Sequence, residues 1–134
     1  MKKIIGLILI ITFSLTSCSS SDDDSGNNGS SINPPNWIQG TWLGEVDGIN
    51  SGLGFKFTSD DFCSVVGSQT SCFKEPVNQS QGLITVDEQI DNENYIISIN
   101  NNNTITNTFH FRKYSETEIE VVQSTGLNPR YVKQ

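Results

Sequence analysis

The chain of 134 residues holds one His and three Cys, too few for most multi-ligand zinc sites. Eight basic residues face fifteen acidic ones, a net charge of −7. That balance argues against a phosphate-binding surface and against nucleic acid as a partner. Charged residues are only 17% of the chain, and it lacks the Ala, Glu, Lys and Leu enrichment of a coiled coil or long bundle. No apolar run reaches the roughly 20 residues that span a bilayer. Neither Gly-x-Ser-x-Gly nor a Gly-rich phosphate loop occurs, so the hydrolase and nucleotide chemistries those motifs serve have no sequence support. What is present is length for one domain, 34% hydrophobic residues, and an abundance of Gly, Ser, Asn and Thr.

Residues 1–17 have the layout of a signal peptide. Lys2 and Lys3 precede an apolar run over residues 4–15, the length of an h-region. The run ends in Leu15-Thr16-Ser17-Cys18. Small residues just before a Cys resemble the bacterial lipobox, where the leader is cut and the Cys thiol is acylated. The resemblance implies a palmitate-type anchor on Cys18 and the lipid bilayer as a partner. Each buried CH₂ adds about 0.8 kcal/mol, and two acyl chains hold a protein stably.

Residues 19–31 contain no apolar side chain. Such a segment cannot offset its own ordering entropy. Residues 18–36 are therefore read as the lipidated Cys and a disordered tether, with a root-mean-square span of about 23 Å. Pro34-Pro35 marks its end. Ser21 followed by Asp22-Asp23-Asp24 resembles the surface-export signal of Bacteroidetes-type lipoproteins. The implied address is the outer membrane, on the cell surface rather than the periplasmic face.

Residues 37–134 carry six basic and twelve acidic side chains, a net of −6. Period-2 patterning dominates there. Strands are predicted over residues 41–46, 54–58, 62–66, 83–90, 95–100, 104–114, 117–123 and 130–133, with residues 67–81 a long loop or irregular strand. Phe55 and Phe57 share a face, as do Ile84, Val86 and Ile90. Ile105, Phe109 and Phe111 oppose Thr104, Thr106, Thr108 and His110. Ile119 and Val121 point inward, Glu118 and Glu120 outward. No window of twelve residues keeps a helical stripe. About eight short strands with turns every 8–12 residues predict an all-β, antiparallel up-and-down barrel. Closure would also remove open strand edges.

Gly40-Thr41-Trp42, preceded by Trp37-Ile38-Gln39, resembles the Gly-x-Trp opening of lipocalin-type (calycin) barrels. In its place after a Ser/Asp tether, it is similar to the small lipocalin-like domains of Bacteroidetes-type lipoproteins. The resemblance implies that Gly40 and Trp42 form the barrel base, with Arg112 or Arg130 stacked on the indole. It also implies a small apolar ligand, for which Phe55, Phe57, Phe109 and Phe111 are the lining candidates. An eight-stranded barrel can equally be filled by its own side chains.

With Cys18 acylated, Cys63 and Cys72 remain, nine apart and in an oxidising compartment, so a disulfide is expected. No metal site and no cofactor follow from two Cys without a nearby His. His110 carries no triad signature. Asp60, Asp61, Asp91 and Glu93 fall at turns, where solvated carboxyls make poor general acids. No catalytic residue is assigned, and the chain reads as non-enzymatic and monomeric. Trp37, Tyr95, Tyr114 and Tyr131 are the aromatics expected to be partly exposed.

Two functions fit this reading. One is a lipid-anchored module binding a small apolar molecule. The other is a protein-interaction scaffold such as a hydrolase inhibitor; the lysozyme-inhibitor lipoproteins bear a loose likeness at residues 124–131. An interior cavity of roughly 300 Å³ or more favours the first. A filled barrel with a rigid loop near Cys63 and Cys72 favours the second. The anchor is tested directly: Cys18→Ala should abolish acyl labelling and release the protein from membranes in fractionation, and a variant that stays membrane-bound would refute the lipobox reading.

Overall fold

The computed structural model describes residues 31–102 and 104–134. The leader, Cys18 and the tether through Ser30 lie outside the described residues, as does the side chain of Ile105. A 3₁₀ turn at Asn36–Ile38 leads into β1 (Gly40–Val46), β2 (Ile49–Phe57), β3 (Phe62–Val66) and β4 (Gln69–Cys72). Helix α1 (Lys74–Gln79) follows. Then come β5 (Ile84–Ile90), β6 (Asn94–Asn101), β7 (Thr104–Lys113), β8 (Glu118–Val121) and β9 (Arg130–Lys133).

The nine strands form one all-antiparallel sheet in the order β4-β3-β2-β1-β9-β8-β7-β6-β5. Consecutive strands pair as in a meander, and the last strand returns to the first, Trp42 opposite Lys133. The sheet curls into a barrel with one seam, between β4 and β5. The expectation of full closure is corrected here: among the described residues no ladder joins β4 to β5. Nine strands alternating in direction leave β4 and β5 running the same way, so no antiparallel ladder can join them. The chain must cross back over the seam, and parallel neighbours need such a crossover. Residues 73–83 supply it, with α1 lying against β5. Its Val77 is buried in the core. The segment read as a long loop or irregular strand, residues 67–81, is thus a short strand, which makes nine, and a six-residue helix.

The Asp47-Gly48 turn joins Val46 to its partner Ile49, and both turn residues have positive φ (54° and 75°). That is the conformation a tight hairpin needs, and Asp-Gly adopts it readily. The Cys63–Cys72 disulfide links directly opposed residues of β3 and β4. In the loop-entropy account such a short closure adds roughly 2.5 kcal/mol. It clamps the short seam strand β4, whose residues are all exposed.

The core is a cluster of rings. Phe55, Phe57, Phe62, Phe109 and Phe111 all touch one another's neighbours at centroid separations of 5.0–6.4 Å. β2 and β3 lie four and five places from β7 in the sheet, so Phe57–Phe111 and Phe62–Phe109, at 5.0 and 5.1 Å, meet across the interior. Tyr95, Ile97, Ile119 and Trp42 complete a filled centre. Tyr95 is fully buried rather than partly exposed. Its hydroxyl donates to Glu88 Oε1 at 2.6 Å. Glu88 shares the inward side with Ile84, Val86 and Ile90, since it pairs with Ile97.

One end of the barrel is closed. Ile32 and Ile38 are buried beneath it, and Asn33 N–H donates to Glu88. The domain therefore begins before the expected boundary: Ile32 to Asn36 pack on the fold, because a single isoleucine there can fill the floor. Trp42 is 1% exposed and its Nε1 donates to Ile38 O at 2.6 Å. The cation over the indole is Lys133, its Nζ 5.1 Å from the ring centroid. This corrects the choice of Arg112 or Arg130. Arg112 pairs with Glu120, and Arg130 lies over the Tyr114 ring. The opposed register of Trp42 and Lys133 puts the lysine stem on the same face, which neither arginine shares.

Gly54 sits where β1 and β2 approach most closely. A Cβ there would lie 1.9 Å from the Trp42 carbonyl oxygen. Gly54→Ala should therefore destabilise the fold by about 3 kcal/mol or more, measured by urea unfolding. A loss under about 1 kcal/mol would show that this contact is not fixed.

Candidate functional site

The strand lengths leave the opposite end of the barrel incomplete. β7 extends from Lys113 up to Thr104, but β8 pairs only with Phe111, Arg112 and Lys113. β9 begins at Arg130 and pairs with β1 only from Trp42 to Gly44. Above that level, the two places between β7 and β1 hold the connection of residues 122–129 instead of strands. This gap is a mouth in the wall. Pro129 and Gly126 explain why the connection does not continue the ladder, since Pro lacks the donor and Gly126 turns with φ 77°.

A cavity of about 470 Å³, open to solvent, occupies the mouth. Its floor is Phe55, Phe109, Val121 and Tyr131, all half-buried. These are inward-facing residues: Tyr131 opposes Ile119, and Phe109 opposes Ile97. One wall is Thr108, His110 and Val122, from the outer side. A single cavity lined from both faces of β7 must straddle that strand's edge. Gln123, Ser124 and Thr125 form the lip. The lining contains no Asp, Glu, Lys or Arg.

The four lining candidates are brought together in one ring cluster but divide by depth. Phe57 and Phe111 are fully buried in the filled interior. Phe55 and Phe109 reach the groove. Phe55 meets Tyr131 edge-on at 5.0 Å. Tyr131 is thus a floor residue, and burial pushes its hydroxyl pKa up. The sequence predicts Val122 and Gln123 as the end of the strand over residues 117–123, which stops at Val121, and it marks neither them nor Ser124 and Thr125 as ligand-lining. His110 faces away from the phenylalanines as expected, and its Nε2 lies 2.9 Å from Asn94 Oδ1.

The turn acids cluster at the closed end. Backbone N–H groups of Glu93 and Asn94 hold the Asp91 carboxyl below its ordinary range. A hydrogen bond from Lys74 does the same for Asp60. Carboxyls held down in this way stay ionised at neutral pH and have no proton to donate. Gly40 lies at this closed end as well, and Trp42, two residues along β1, opposes Phe55 of the groove floor.

A second hollow, about 550 Å³, lies between β4 and α1 and is lined by polar side chains including Asp61, Thr70, Lys74 and Glu75. Most of its charged groups already have partners. Asp61 Oδ1 accepts from the N–H of Phe62 and of Lys74, and Lys74 Nζ pairs with Asp60. Asp61, Cys63 and Cys72 place three possible metal-ligand atoms within 4.8 Å. The two sulfurs are bonded to each other, however, and a disulfide offers no thiolate.

No family model, curated protein or solved structure matches the chain. The division of the phenylalanines is testable by substitution. Phe57→Ala, in the filled interior, should cost about 3–5 kcal/mol in chemical denaturation. Phe109→Ala, on the groove floor, should cost about half as much because the site is already open to water. Equal losses would mean that Phe109 is a core residue and the groove is closed.

Proposed function

We propose that this protein is a lipid-anchored, non-enzymatic binding module whose ligand presents an apolar group to the groove at the barrel mouth. The observation carrying this reading is the groove itself: an aromatic floor, a lining without Asp, Glu, Lys or Arg, and about 470 Å³ of space. The interior does not offer that room, because rings from opposite walls meet across it. An apolar group on Phe55, Phe109 and Tyr131 gains about 25 cal/mol per Å² removed from water. Threonine, serine and glutamine at the lip can satisfy a polar remainder of the ligand.

The anchor belongs to the same proposal. The chain enters the fold at the closed end, where Ile32 and Ile38 seal the floor. A tether from an acylated Cys18 would join the domain there. The mouth, at the other end of the strands, would then face away from the bilayer that holds the protein. Such placement suits capture of a ligand from outside that bilayer, with the outer membrane as the expected location.

Fluorescence titration with N-phenyl-1-naphthylamine, a neutral apolar probe, tests the site. The full chain should bind it, and Phe109→Ala or Tyr131→Ala should each weaken binding about tenfold, the equivalent of losing some 50 Å² of apolar contact. Lys74→Ala, at the other hollow, should leave it unchanged. Binding that ignores both groove substitutions, or no binding at all, would overturn the assignment.

A further inference from the structure

The mouth also exposes a strand edge. Backbone N–H and C=O groups of alternate residues point to alternate sides of a strand. Val122 N–H donates to His110 O, so the backbone polar groups of His110 face β8. By the same alternation, those of Thr108 face that side too. There β8 has ended: Thr108 pairs with Ser98 of β6 and, among the described residues, with no strand on its other flank. Thr108 is also part of the groove wall. A free ladder position therefore borders the apolar floor.

Two further observations restrict the occupant. Among the described residues, six of the eight exposed large apolar side chains, namely Val46, Ile49, Leu53, Val66, Leu83 and Leu127, lie at this end of the strands or in its connections. Charge is polarised in the other direction. The described cations are engaged elsewhere: Lys74, Arg112 and Lys113 in ion pairs, Arg130 on Tyr114, and Lys133 on Trp42. Lys56 lies toward the closed end, opposite Thr41 and Cys63. The exposed acids at this end are Glu45 and Asp47, at the tip of the β1–β2 hairpin, while Arg130, which opens β9 here, lies over Tyr114 and opposite Glu120. An anionic amphiphile or anionic lipid surface is disfavoured there, and a neutral or cationic partner is favoured.

We propose that the groove receives an extended peptide strand of neutral or basic character. It adds to the free upper edge of β7, in the place β8 vacates, and lays one apolar side chain on the Phe55–Phe109–Tyr131 floor. This rests on the reading of the groove as the binding site and names its ligand class. A small molecule could use the floor but would leave the Thr108 donor and acceptor to water. A peptide uses both, and backbone pairing plus one side-chain pocket is how added strands are held. The apolar ring around the mouth would cover the flanking residues of the peptide.

The test uses the full chain and a short capped peptide of alternating threonine and valine with a central phenylalanine and one lysine. The peptide should displace N-phenyl-1-naphthylamine and slow hydrogen exchange at the Thr108 amide. N-methylation of the peptide amide that faces the Thr108 carbonyl should weaken binding about tenfold, through the lost hydrogen bond. N-methylation on the opposite edge should leave binding intact, and exchange of the lysine for glutamate should weaken it. If the naphthylamine binds but the peptide does not, or if both methylated forms bind equally, the groove reads an apolar group alone. The peptide inference then fails while the binding site stands. If neither probe binds, both fall. If the chain alone dimerises with a protected Thr108 amide, the edge serves a second copy and the peptide inference is overturned.

Discussion

Phenylalanines from β2 and β3 meet those of β7 across the inside of the barrel, and most other features follow from that contact. These strands are not neighbours in the sheet. Their rings can touch only if the sheet curls until opposite walls are a ring's width apart. Stacked and edge-on pairs hold it there, from Phe57–Phe62 and Phe62–Phe73 on one wall to Phe109–Phe111 on the other. Each fully buried ring is worth about 1.5–3 kcal/mol, and each well-placed pair adds up to about 1.5 kcal/mol. A domain of this size has a small core, so these rings form much of it. Filling the centre also displaces any open volume to the rim, where Phe55 and Phe109 are the cluster's outermost members.

Strand parity is the second constraint. An odd number of alternating strands leaves one pair of neighbours parallel, and among the described residues no parallel ladder joins that pair here. The seam falls in mid-chain, between β4 and β5, while the N- and C-terminal strands pair. Each seam edge is managed differently. β4 has four residues, all exposed, and is clamped to β3 by the disulfide. β5 is met by α1 and by the segment at Asn33, whose N–H binds Glu88. Short strands and covered edges are the usual protection against unwanted pairing. Among the described residues no strand flanks Thr108 of β7 at the mouth on the side away from β6, and the proposed peptide would use that edge.

Several features of the chain were legible before its fold was known. Alternation in residues 104–114 placed Phe109 and Phe111 against His110, because a half-buried strand must change face at every residue. Phe62–Val66 and Arg130–Lys133 were bounded by clear turn signals, and the strands begin and end there. Cys63 and Cys72 were paired by elimination, and they are bonded. Other features left no local trace. Lys74–Gln79 contains a proline and one buried residue, Val77, too little for a helical stripe. Glu88 is polar yet inward, because the partner that satisfies it, Tyr95, lies one strand away. Ile32 follows a purely polar run, and nothing nearby announces that it fills the floor.

Composition and local pattern alone therefore determined the class of the fold, the strand faces and the disulfide, since these depend on period-2 burial and on counting. Only the tertiary structure decided which phenylalanines fill the barrel and which floor a groove. It also decided which cation meets Trp42 and where the ring of strands stays open. Those outcomes depend on cross-barrel distances, on register between strands far apart in the chain, and on the parity of the strand count, none of which any short stretch of residues encodes.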